Sequence, residues 1–248
     1  MSWDSCLYKR HNSRRQEHLA SLNLPIPGKS VIELGAGQGD HSSFFIDRSC
    51  PILITEARKE NINLIKKQLE TLRRIAYSVA VSYGHEQKSV DIQQLDMDKP
   101  TALNKRFDIG YHYGLLYHQE QPAKSLEWSA KHCDMLLLET CLSFGDDAKP
   151  NMIQEKKQNP TQSFNGDGCR PTRLWVVQEL NKHYKYVYIP KTQPNHPAFP
   201  IDWTDVGRKA HKVAFVRGVF IASNTPLENQ LLVECKEARD LPMQQTRH

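Results

Sequence analysis

The chain has 248 residues, of which 39% are hydrophobic, so it can bury a core and is not globally disordered. Its net charge of +5 tolerates an anionic partner without requiring nucleic acid, and no apolar run is long enough to cross a bilayer. Six scattered cysteines without a C-x-x-C pair argue against a zinc site and against a disulfide framework. We expect one domain over residues 1–228. Because residues 1–4 lack an apolar signal-peptide core, we also expect a cytoplasmic location.

The first part of the chain predicts helices and strands in alternation. A first helix from about Tyr8 to Leu22 contains the basic run Lys9–Arg15, which favours a solvated helix face. Apolar residues spaced 3-4-3-4 over 62–76 predict a longer helix, and alternation over 77–81 indicates an extra strand. The other predicted segments are strands at 30–34, 51–56, 90–96, 107–114 and 135–140, and helices at 40–49 and 122–133. Five strands alternating with helices imply a mostly parallel sheet with helices on both faces.

After residue 140 the pattern becomes less regular. Residues 144–170 are polar and too long for an ordinary connection, so they form either an active-site lid or a disordered excursion. A helix follows from Thr172, whose hydroxyl suits an N-cap, to Tyr184. The remaining predicted segments are strands at 186–189 and 213–222, the proline-rich segment 190–212 between them, and a polar tail at 229–248 that we expect to fray.

The central feature is the stretch Val31–Asp40, in which a short apolar run leads into three glycines on alternate positions. This pattern predicts a buried strand, a tight turn and the start of a helix. Glycine is needed where the backbone takes a positive φ or approaches a ligand without a Cβ. Amide groups at the helix start then favour a polar or anionic ligand group. Asp40 directly follows Gly39, so the G-x-G-x-x-G spacing of nicotinamide-binding turns is absent and a dehydrogenase is disfavoured.

The string E-L-G-A-G-Q-G-D over 33–40 resembles motif I of the class I S-adenosylmethionine (SAM) dependent methyltransferases. The resemblance extends from about Ser30 to Ser223, since the predicted strands follow the order of that family. It implies an α/β fold with a seven-stranded, mostly parallel, Rossmann-like sheet whose last strand is antiparallel. An N-terminal helix and two substrate-side insertions, at about 144–170 and 190–212, would be added to it. The implied cofactor is SAM, with S-adenosylhomocysteine (SAH) as product.

The same resemblance implies which residues contact SAM. Glu56 ends the second strand, roughly 20 positions after the first glycine, where a carboxylate holds the ribose hydroxyls. Asp96 and Met97 match the position that contacts the adenine. Tyr113 lies in the stretch that matches motif IV, which lines both cofactor and substrate. The motif I residues that would wrap the methionine end of SAM are Glu33, Gly35, Ala36, Gly37, Gly39 and Asp40.

Three residues are candidates for catalysis, because an oxygen nucleophile attacking a methyl group must be aligned and usually needs a base such as histidine. His118 leaves the fourth strand where substrate should sit, with a structural hydrogen bond as an equal alternative. His112 lies within that strand, and Glu139 either orients a substrate group or bonds local amides. A metal-dependent branch of the family has a ligand at the position of His118. Because Leu115 and Leu116 stand where polar ligands are needed, we expect no metal.

Six further residues are candidates for substrate contact: Tyr117, Asn165, Arg170, Arg173, His196 and Trp203. The two arginines, three positions apart near a helix start, would either clamp a carboxylate or phosphate or brace the long loop. The two aromatic rings would stack on substrate or adenine, or pack in the core. The histidine would close over the pocket, or serve only the local structure.

The string Y-G-L-L-Y-H-Q-E-Q-P over 113–122, followed by L-L-L-E-T, resembles a bacterial branch of small-molecule and RNA-modifying methyltransferases. The N-P-P-Y motif of adenine and glutamine N-methyltransferases is absent. We therefore expect methylation of a small molecule or glycan, on oxygen rather than nitrogen. The alternatives that stay open are modification of RNA or a peptide, and a non-catalytic SAM-binding protein. The sequence leaves the oligomeric state open.

Overall fold

The computed structural model describes residues 5–84, 86, 88–236 and 241–248. The helices are α1 (Cys6–Ser21), α2 (Ser42–Ile46), α3 (Lys59–Tyr83), α4 (Pro122–His132), α5 (Arg173–Asn181) and α6 (Asp205–Ala210), and Leu116–His118 forms a 3₁₀ turn. The strands are β1 (Val31–Glu33), β2 (Ile52–Glu56), β3 (Val90–Gln94), β4 (Phe107–Tyr113), β5 (Cys133–Leu142), β6 (Met152–Gln154), β7 (Asp167–Cys169), β8 (Tyr186–Pro190), β9 (Thr192–Gln193), β10 (Val216–Ser223), β11 (Leu232–Glu234) and β12 (Thr246–Arg247).

Eight of these strands form one sheet in the order β3-β2-β1-β4-β5-β10-β8-β11. Strands β1 to β5 pair in parallel, and β10 is antiparallel to both β5 and β8. The chain leaves β1 towards β2 on one side and later returns to β4 on the other, so the turn after β1 lies where the strand order reverses. In open α/β sheets this switch point is where ligands bind. The predicted Rossmann-like α/β fold is confirmed, with β10 antiparallel as expected, but the sheet has eight strands rather than seven.

The two faces of the sheet pack on different helices. In β5, Leu137 belongs to a core cluster with Leu19 of α1 and Phe45 of α2. The next residue, Leu138, belongs to a cluster with Leu126 of α4 and residues of α5. Because side chains alternate along a strand, Glu139 points to the α1 face like Leu137. The carboxylate of Glu139, near the carboxyl end of β5, therefore lies under α1.

The extra strand predicted over residues 77–81 is wrong, because α3 continues to Tyr83. The buried stripe of this helix extends beyond Ala76 to Ala80, four residues later, while Tyr77 and Val81 are exposed on the opposite side. The alternation of apolar residues was thus the solvent face of a helix. The helix ends at Gly84, whose φ of +67° suits a left-handed C-cap.

The tail does not fray where the structure describes it. Its strand β11 adds an eighth strand beside β8, and β12 pairs in parallel with β9 of the proline-rich segment. Leu232 and Gln244 are buried. Since these contacts are made with residues far away in sequence, the polar composition of the tail did not reveal them. None of the helices in the described ranges combines the length and the apolar character needed to cross a bilayer.

Residues 144–170 are an ordered insertion. Strands β6 and β7 form a hairpin within it. Its two ends meet where Ser143 bridges to Thr172 and donates from its backbone N–H to Pro171 O at 2.9 Å. Thr172 also caps α5, as predicted, by accepting a hydrogen bond from the backbone of Trp175 at 3.1 Å.

Candidate functional site

The glycine turn lies at the carboxyl end of β1, in the middle of the sheet. Gly35, Gly37 and Gly39 have φ values of +65°, +60° and +87°, a region that side chains other than glycine rarely adopt. A Cβ at Gly35 would lie 2.8 Å from the side chain of Leu115, which would have to shift to accommodate it. The backbone N–H of Ala36 donates to Thr55 O of β2 at 2.9 Å and ties the turn to the neighbouring strand.

Two buried carboxylates flank this turn. Glu56, at the end of β2, accepts backbone hydrogen bonds from Gly37 and from Arg58, each at 2.9 Å. Glu33, at the end of β1, accepts from the Ser42 hydroxyl at 2.5 Å. Burial raises the pKa of Glu33 to about 7, and burial also raises the pKa of Glu56. The predicted cofactor carboxylates thus lie together at the switch point.

Asp40 connects the turn to α1. Its side chain accepts hydrogen bonds from Gln38 at 2.9 Å and from Asn12 of α1 at 3.4 Å. Its backbone oxygen accepts from Gln16, also of α1, at 3.2 Å. The N-terminal helix is therefore a cover for the glycine turn.

Asp96 and Met97 lie beyond the end of β3, in a segment held next to Glu56 by the bond from Leu95 N to Glu56 O, 3.0 Å long. Met97 is buried in the core cluster beside β1, and Asp96 accepts the backbone N–H of Asp98 at 3.0 Å. Both residues are thus at the ligand edge of the sheet, on the side of β2 and β3.

Asp98, which the sequence analysis missed, organises the next part of this edge. Its carboxylate accepts the backbone N–H of Glu120 at 2.8 Å, just before α4. It also accepts from the Asn165 side chain at 2.9 Å. Asn165, a predicted substrate contact, therefore anchors the insertion to the main domain in this structure.

A buried cluster of charges lies under α1, at the ends of β4 and β5. Glu139 is fully buried and accepts one hydrogen bond from Arg15 of α1 and one from Arg217 of β10, each at 2.8 Å. Arg217 also donates to the Tyr117 hydroxyl at 2.8 Å. The two guanidinium groups hold the pKa of Glu139 below its usual range despite burial. Glu139 is thus a fixed anion between two cations, rather than a group that bonds local amides.

Aromatic and histidine side chains complete this cluster. Arg15 lies 3.2 Å from Nε2 of His41, whose Nδ1 bonds the Tyr111 hydroxyl. Tyr111 stacks on Tyr113 with ring centroids 4.4 Å apart, and Tyr113 lies opposite Glu139 in the register of β4 and β5. Burial lowers the pKa of His41, which is therefore neutral. The side chain of Tyr113 thus lies at this edge, as the resemblance implied.

His118 bonds the insertion. Its Nδ1 contacts Glu155, whose other carboxylate oxygen accepts from Arg170 at 3.2 Å. Arg170 also donates to Tyr117 O at 3.1 Å. Burial lowers the pKa of His118, although the nearby Glu155 carboxylate acts in the opposite direction. Because the Glu155 carboxylate accepts from Nδ1, this His118–Glu155 dyad holds the proton of the neutral ring on Nδ1, and Nε2 has the free lone pair.

Three predicted site residues lie elsewhere or do something else. His112 is on the opposite face of the sheet, where its Nε2 lies 3.0 Å from the Ser125 hydroxyl of α4. Arg173 does not join Arg170, because its guanidinium bonds Pro242 O of the tail and lies 4.6 Å from the ring centre of Trp203. Trp203 in turn donates to Gln244 of the tail at 2.6 Å. The predicted two-arginine clamp and the catalytic role of His112 are therefore not supported by the geometry.

His196 lies over the covered edge of the sheet, which consists of the carboxyl ends of β4 and β5 under α1. Its ring contacts the ring of His11 on α1, with centroids 4.8 Å apart, and Phe199 packs on the same histidine at 5.7 Å. The proline-rich segment thus closes against α1 above the charged cluster, and contact of His196 with a substrate stays a prediction.

Sequence analysis missed several residues that form this edge: His11, Asn12, Arg15, His41, Tyr111, Glu155 and Arg217. The prediction of a solvated face for the basic run holds for Lys9 and Arg10, which are exposed, and is wrong for Arg15, which is only 5% exposed. One signal was available: a single arginine, Arg217, stands within an apolar strand, and a buried charge needs a partner. Within the residues that the structure describes, no group of three or more His, Cys, Asp or Glu is arranged to hold a metal ion.

Comparisons with known proteins identify the fold. No protein-family profile and no curated protein sequence matches the chain. Among solved structures, the N-terminal domain of EvdMO1 with SAH bound is similar with a TM-score of 0.60 and 18% identity over 86% of this chain and 80% of that one. The same domain was also solved in the presence of SAH and D-fucose.

Two further structures are similar over the same share of this chain. A SAM-dependent methyltransferase from Mesorhizobium loti matches with a TM-score of 0.56 and 10% identity over 86% of this chain and 99% of that one. The glycopeptide N-methyltransferase MtfA, in complex with SAM, matches with a TM-score of 0.52 and 14% identity over 86% of each chain. The chain has the Rossmann-like fold of these methyltransferases.

Proposed function

We propose that the protein is a SAM-dependent methyltransferase that methylates a hydroxyl group of a small molecule or glycan. The observation that supports this best is the glycine turn at the switch point of a methyltransferase fold, joined by Gly37 to the carboxylate of Glu56. The similar EvdMO1 domain and MtfA were solved with SAH and SAM.

The residues present fit the cofactor. Gly35 and Gly37 are only partly buried, and their positive φ values shape the backbone of the turn beside Glu56. Glu56 would accept the ribose hydroxyls, while Asp96 and Met97 would lie against the adenine. SAM supplies an electrophilic methyl group on a sulfonium centre. The task of the protein is then to align an acceptor atom with that methyl group and to exclude water.

We favour a compact acceptor because this edge of the sheet is covered rather than open. α1, the proline-rich segment and the insertion enclose the ends of β4 and β5, where Tyr113 is 7% exposed. A small molecule or a sugar is a better match to such a site than a nucleic-acid duplex. Similar proteins include one studied with D-fucose and one glycopeptide methyltransferase, which points the same way.

Oxygen is favoured as the acceptor atom because His118 has the features of a general base. Its Nδ1 is bonded to Glu155, which orients the ring and stabilises the imidazolium that forms when Nε2 takes a proton. Burial lowers its pKa, so the neutral, proton-accepting form predominates at neutral pH. In the proposed step SAM would supply the methyl group and leave as SAH, and Nε2 of His118 would take the proton of the acceptor hydroxyl.

Calorimetric titration tests the cofactor. We expect SAM and SAH to bind in the micromolar range and NAD not to bind. Glu56→Ala should weaken SAH at least tenfold, because the ribose loses a charged acceptor. Glu60→Ala, which removes an exposed carboxylate in the first turn of α3, is the matched control and should bind like the wild type.

Binding of NAD instead of SAM, or equal SAH affinity in Glu56→Ala and wild type, would refute the proposal. Once SAH binding is established, acceptors can be screened with His118→Ala and His118→Gln. A hydroxyl acceptor should show a large loss in kcat with SAH affinity retained. An unchanged kcat would remove His118 as the base.

A further inference from the structure

We propose that Arg15 and Arg217 form an anion-binding site, and that the acceptor of the proposed methyl transfer bears a carboxylate or phosphate group that binds there. This inference rests on the proposed function and adds to it the chemical class of the acceptor. Such a group would be a counterion for the two guanidinium groups, which are always charged, and would accept a hydrogen bond from the free Nε of Arg15.

The charges around the two arginines do not balance. Arg15 and Arg217 are 5% and 9% exposed, and of the carboxylates that the structure describes only Glu139 is ion-paired with either of them. Two buried cations therefore share one anion. The neighbouring histidines do not change this balance, because burial lowers the pKa of both His11 and His41 and leaves them neutral.

The phenols near the arginines are neutral as well. Burial raises the pKa of Tyr117 to about 12 and that of Tyr113 further. Asp40, the next carboxylate along this edge, bonds Gln38 and Asn12 rather than an arginine. The cluster thus retains one positive charge, and an unneutralised buried charge is costly unless a ligand supplies the counterion.

Hydrogen-bond donors in this cluster also lack acceptors. Nε of Arg15 and the hydroxyl of Tyr113 are buried and make no hydrogen bond to the described part of the chain. Nε2 of His11, on the same face of α1 as Arg15, also makes no hydrogen bond, and it is a donor only in the tautomer that carries the proton on Nε2. Buried donors are normally satisfied, so unsatisfied ones beside a net positive charge mark a place for anionic oxygens.

The position of Arg217 favours the acceptor, rather than SAM, as the molecule that carries the anionic group. Arg217 is on β10, three strands from the glycine turn after β1, which corresponds to about 14 Å at the usual strand spacing. It is held between the Tyr117 ring, 4.8 Å from its guanidinium carbon, and the Glu139 carboxylate. This places Arg217 by the exit of β4, on the acceptor side of the edge, whereas Arg15 reaches towards His41 and the turn. The SAM carboxylate is the competing source, and the test separates the two.

The experiment uses the full chain saturated with SAH, titrated with acetate and with inorganic phosphate at constant ionic strength. We expect saturable binding of at least one anion to the wild type. Arg217→Gln should weaken this binding at least tenfold and should leave the affinity for SAH within about threefold of wild type. The matched control is Arg106→Gln, which removes an exposed arginine paired with Asp134 and should change neither.

A second variant guards against misfolding of Arg217→Gln. Arg217→Lys keeps the charge beside Glu139 but loses the planar fork, so anion binding should weaken severalfold while the melting temperature stays near that of the wild type. Unchanged anion binding in both folded variants would overturn the inference, as would absence of anion binding to the SAH-loaded wild type.

Decarboxylated SAM distinguishes the two sources of the anion. If the site serves the acceptor, Arg217→Gln should affect SAM and decarboxylated SAM equally little. A loss of SAM affinity in Arg217→Gln with decarboxylated SAM unaffected would assign the site to the cofactor and overturn the inference. Failure of SAH itself to bind the wild type would instead refute the proposed function, and with it the acceptor, so the two failures are distinct.

Discussion

The two halves of the ligand edge are built in different ways. On the side of β1 and β2, the polar groups are backbone amides and short-range carboxylates, such as the pair formed by Gly37 and Glu56, 19 positions apart. On the side of β4, β5 and β10, long side chains meet across the chain: Arg15 and Glu139 are 124 positions apart, and Arg217 and Glu139 are 78 apart. The first half is a local motif, and the second half exists only after α1 and β10 have docked.

Because of this difference, stability and binding are coupled in the second half and largely independent in the first. The glycine turn contributes a fixed backbone shape that needs little support from the rest of the chain. The charged cluster instead joins three separate elements through Glu139, so a change there should affect folding as well as binding.

The largest effect should come from Glu139→Ala. Removing the carboxylate leaves Arg15 and Arg217 buried without their counterion, which should lower the free energy of unfolding by about 3–5 kcal/mol. Urea denaturation monitored by circular dichroism measures this change. Glu127→Ala, which breaks an exposed pair with Lys131, is the control and should have no measurable effect. A loss of less than about 1 kcal/mol in Glu139→Ala would show that the cluster is not a folding element.

A smaller effect is expected on the glycine side, as a dependence of stability on pH. Glu33 has a folded pKa of about 7 against an ordinary value of 4.5, so the folded state binds its proton more tightly than the unfolded state. Stability should therefore fall as pH rises from 4.5 to 7, by about 3 kcal/mol from this group.

The matched variant is Glu33→Gln, which keeps the size of the side chain and its contact with Ser42 but cannot ionise. The unfolding free energy of Glu33→Gln should lack this part of the decline between pH 4.5 and 7. Glu60→Gln, on an exposed turn of α3, should retain it. Parallel curves for Glu33→Gln and wild type would contradict the assignment of this pH dependence to Glu33.

Sequence reasoning was strong where structure depends on local pattern. The strand, turn and helix around Gly35, the carboxylate at the end of β2 and the cap at Thr172 each follow from residues close in sequence. It was weak where a residue is defined by distant partners. Arg15 looked like part of a solvated basic run, and no neighbouring residue in the sequence indicates that it pairs with Glu139.

The same limit explains the errors in the outer parts of the fold. The strand β11 pairs with β8, from Leu232 opposite Pro190 to Glu234 opposite Tyr188, so the partners are 42 to 46 positions apart. The polar residues around β11 concealed this pairing. Arg170 and Arg173 share a helix entry but diverge, one towards Glu155 and the other towards the tail. Spacing alone does not fix which way long side chains turn once an insertion and a tail pack on either side.

A third test compares two glycines with similar backbones. Gly35→Ala combines strain at φ +65° with a Cβ 2.8 Å from Leu115, whereas Gly28→Ala has φ +75° and open space. Each should lose about 1–2 kcal/mol of stability from the left-handed backbone. Gly35→Ala should lose about 1 kcal/mol more from overpacking and should also lose SAH binding. Equal stability losses with SAH binding intact in both would show that the close approach at Gly35 has no role.

The smallest effect should be a shift in the titration of His118, which lies across the ligand edge of the sheet from the glycine turn. Glu155 favours the protonated form of His118, which opposes the effect of burial. In Glu155→Gln the pKa of His118 should therefore fall further, and the ring should stay neutral to lower pH than in the wild type. NMR of histidine-labelled protein follows this titration without needing an acceptor.

Glu120→Gln is the matched control, because it removes an exposed carboxylate two residues from His118 without touching the dyad. It should leave the titration of His118 unchanged. A shift of equal size in both variants would mean that general electrostatics, rather than the bond from the insertion, sets the protonation of His118. A shift in Glu155→Gln alone would make the insertion part of the acceptor side, since one of its residues would control the proposed base from outside the parallel sheet.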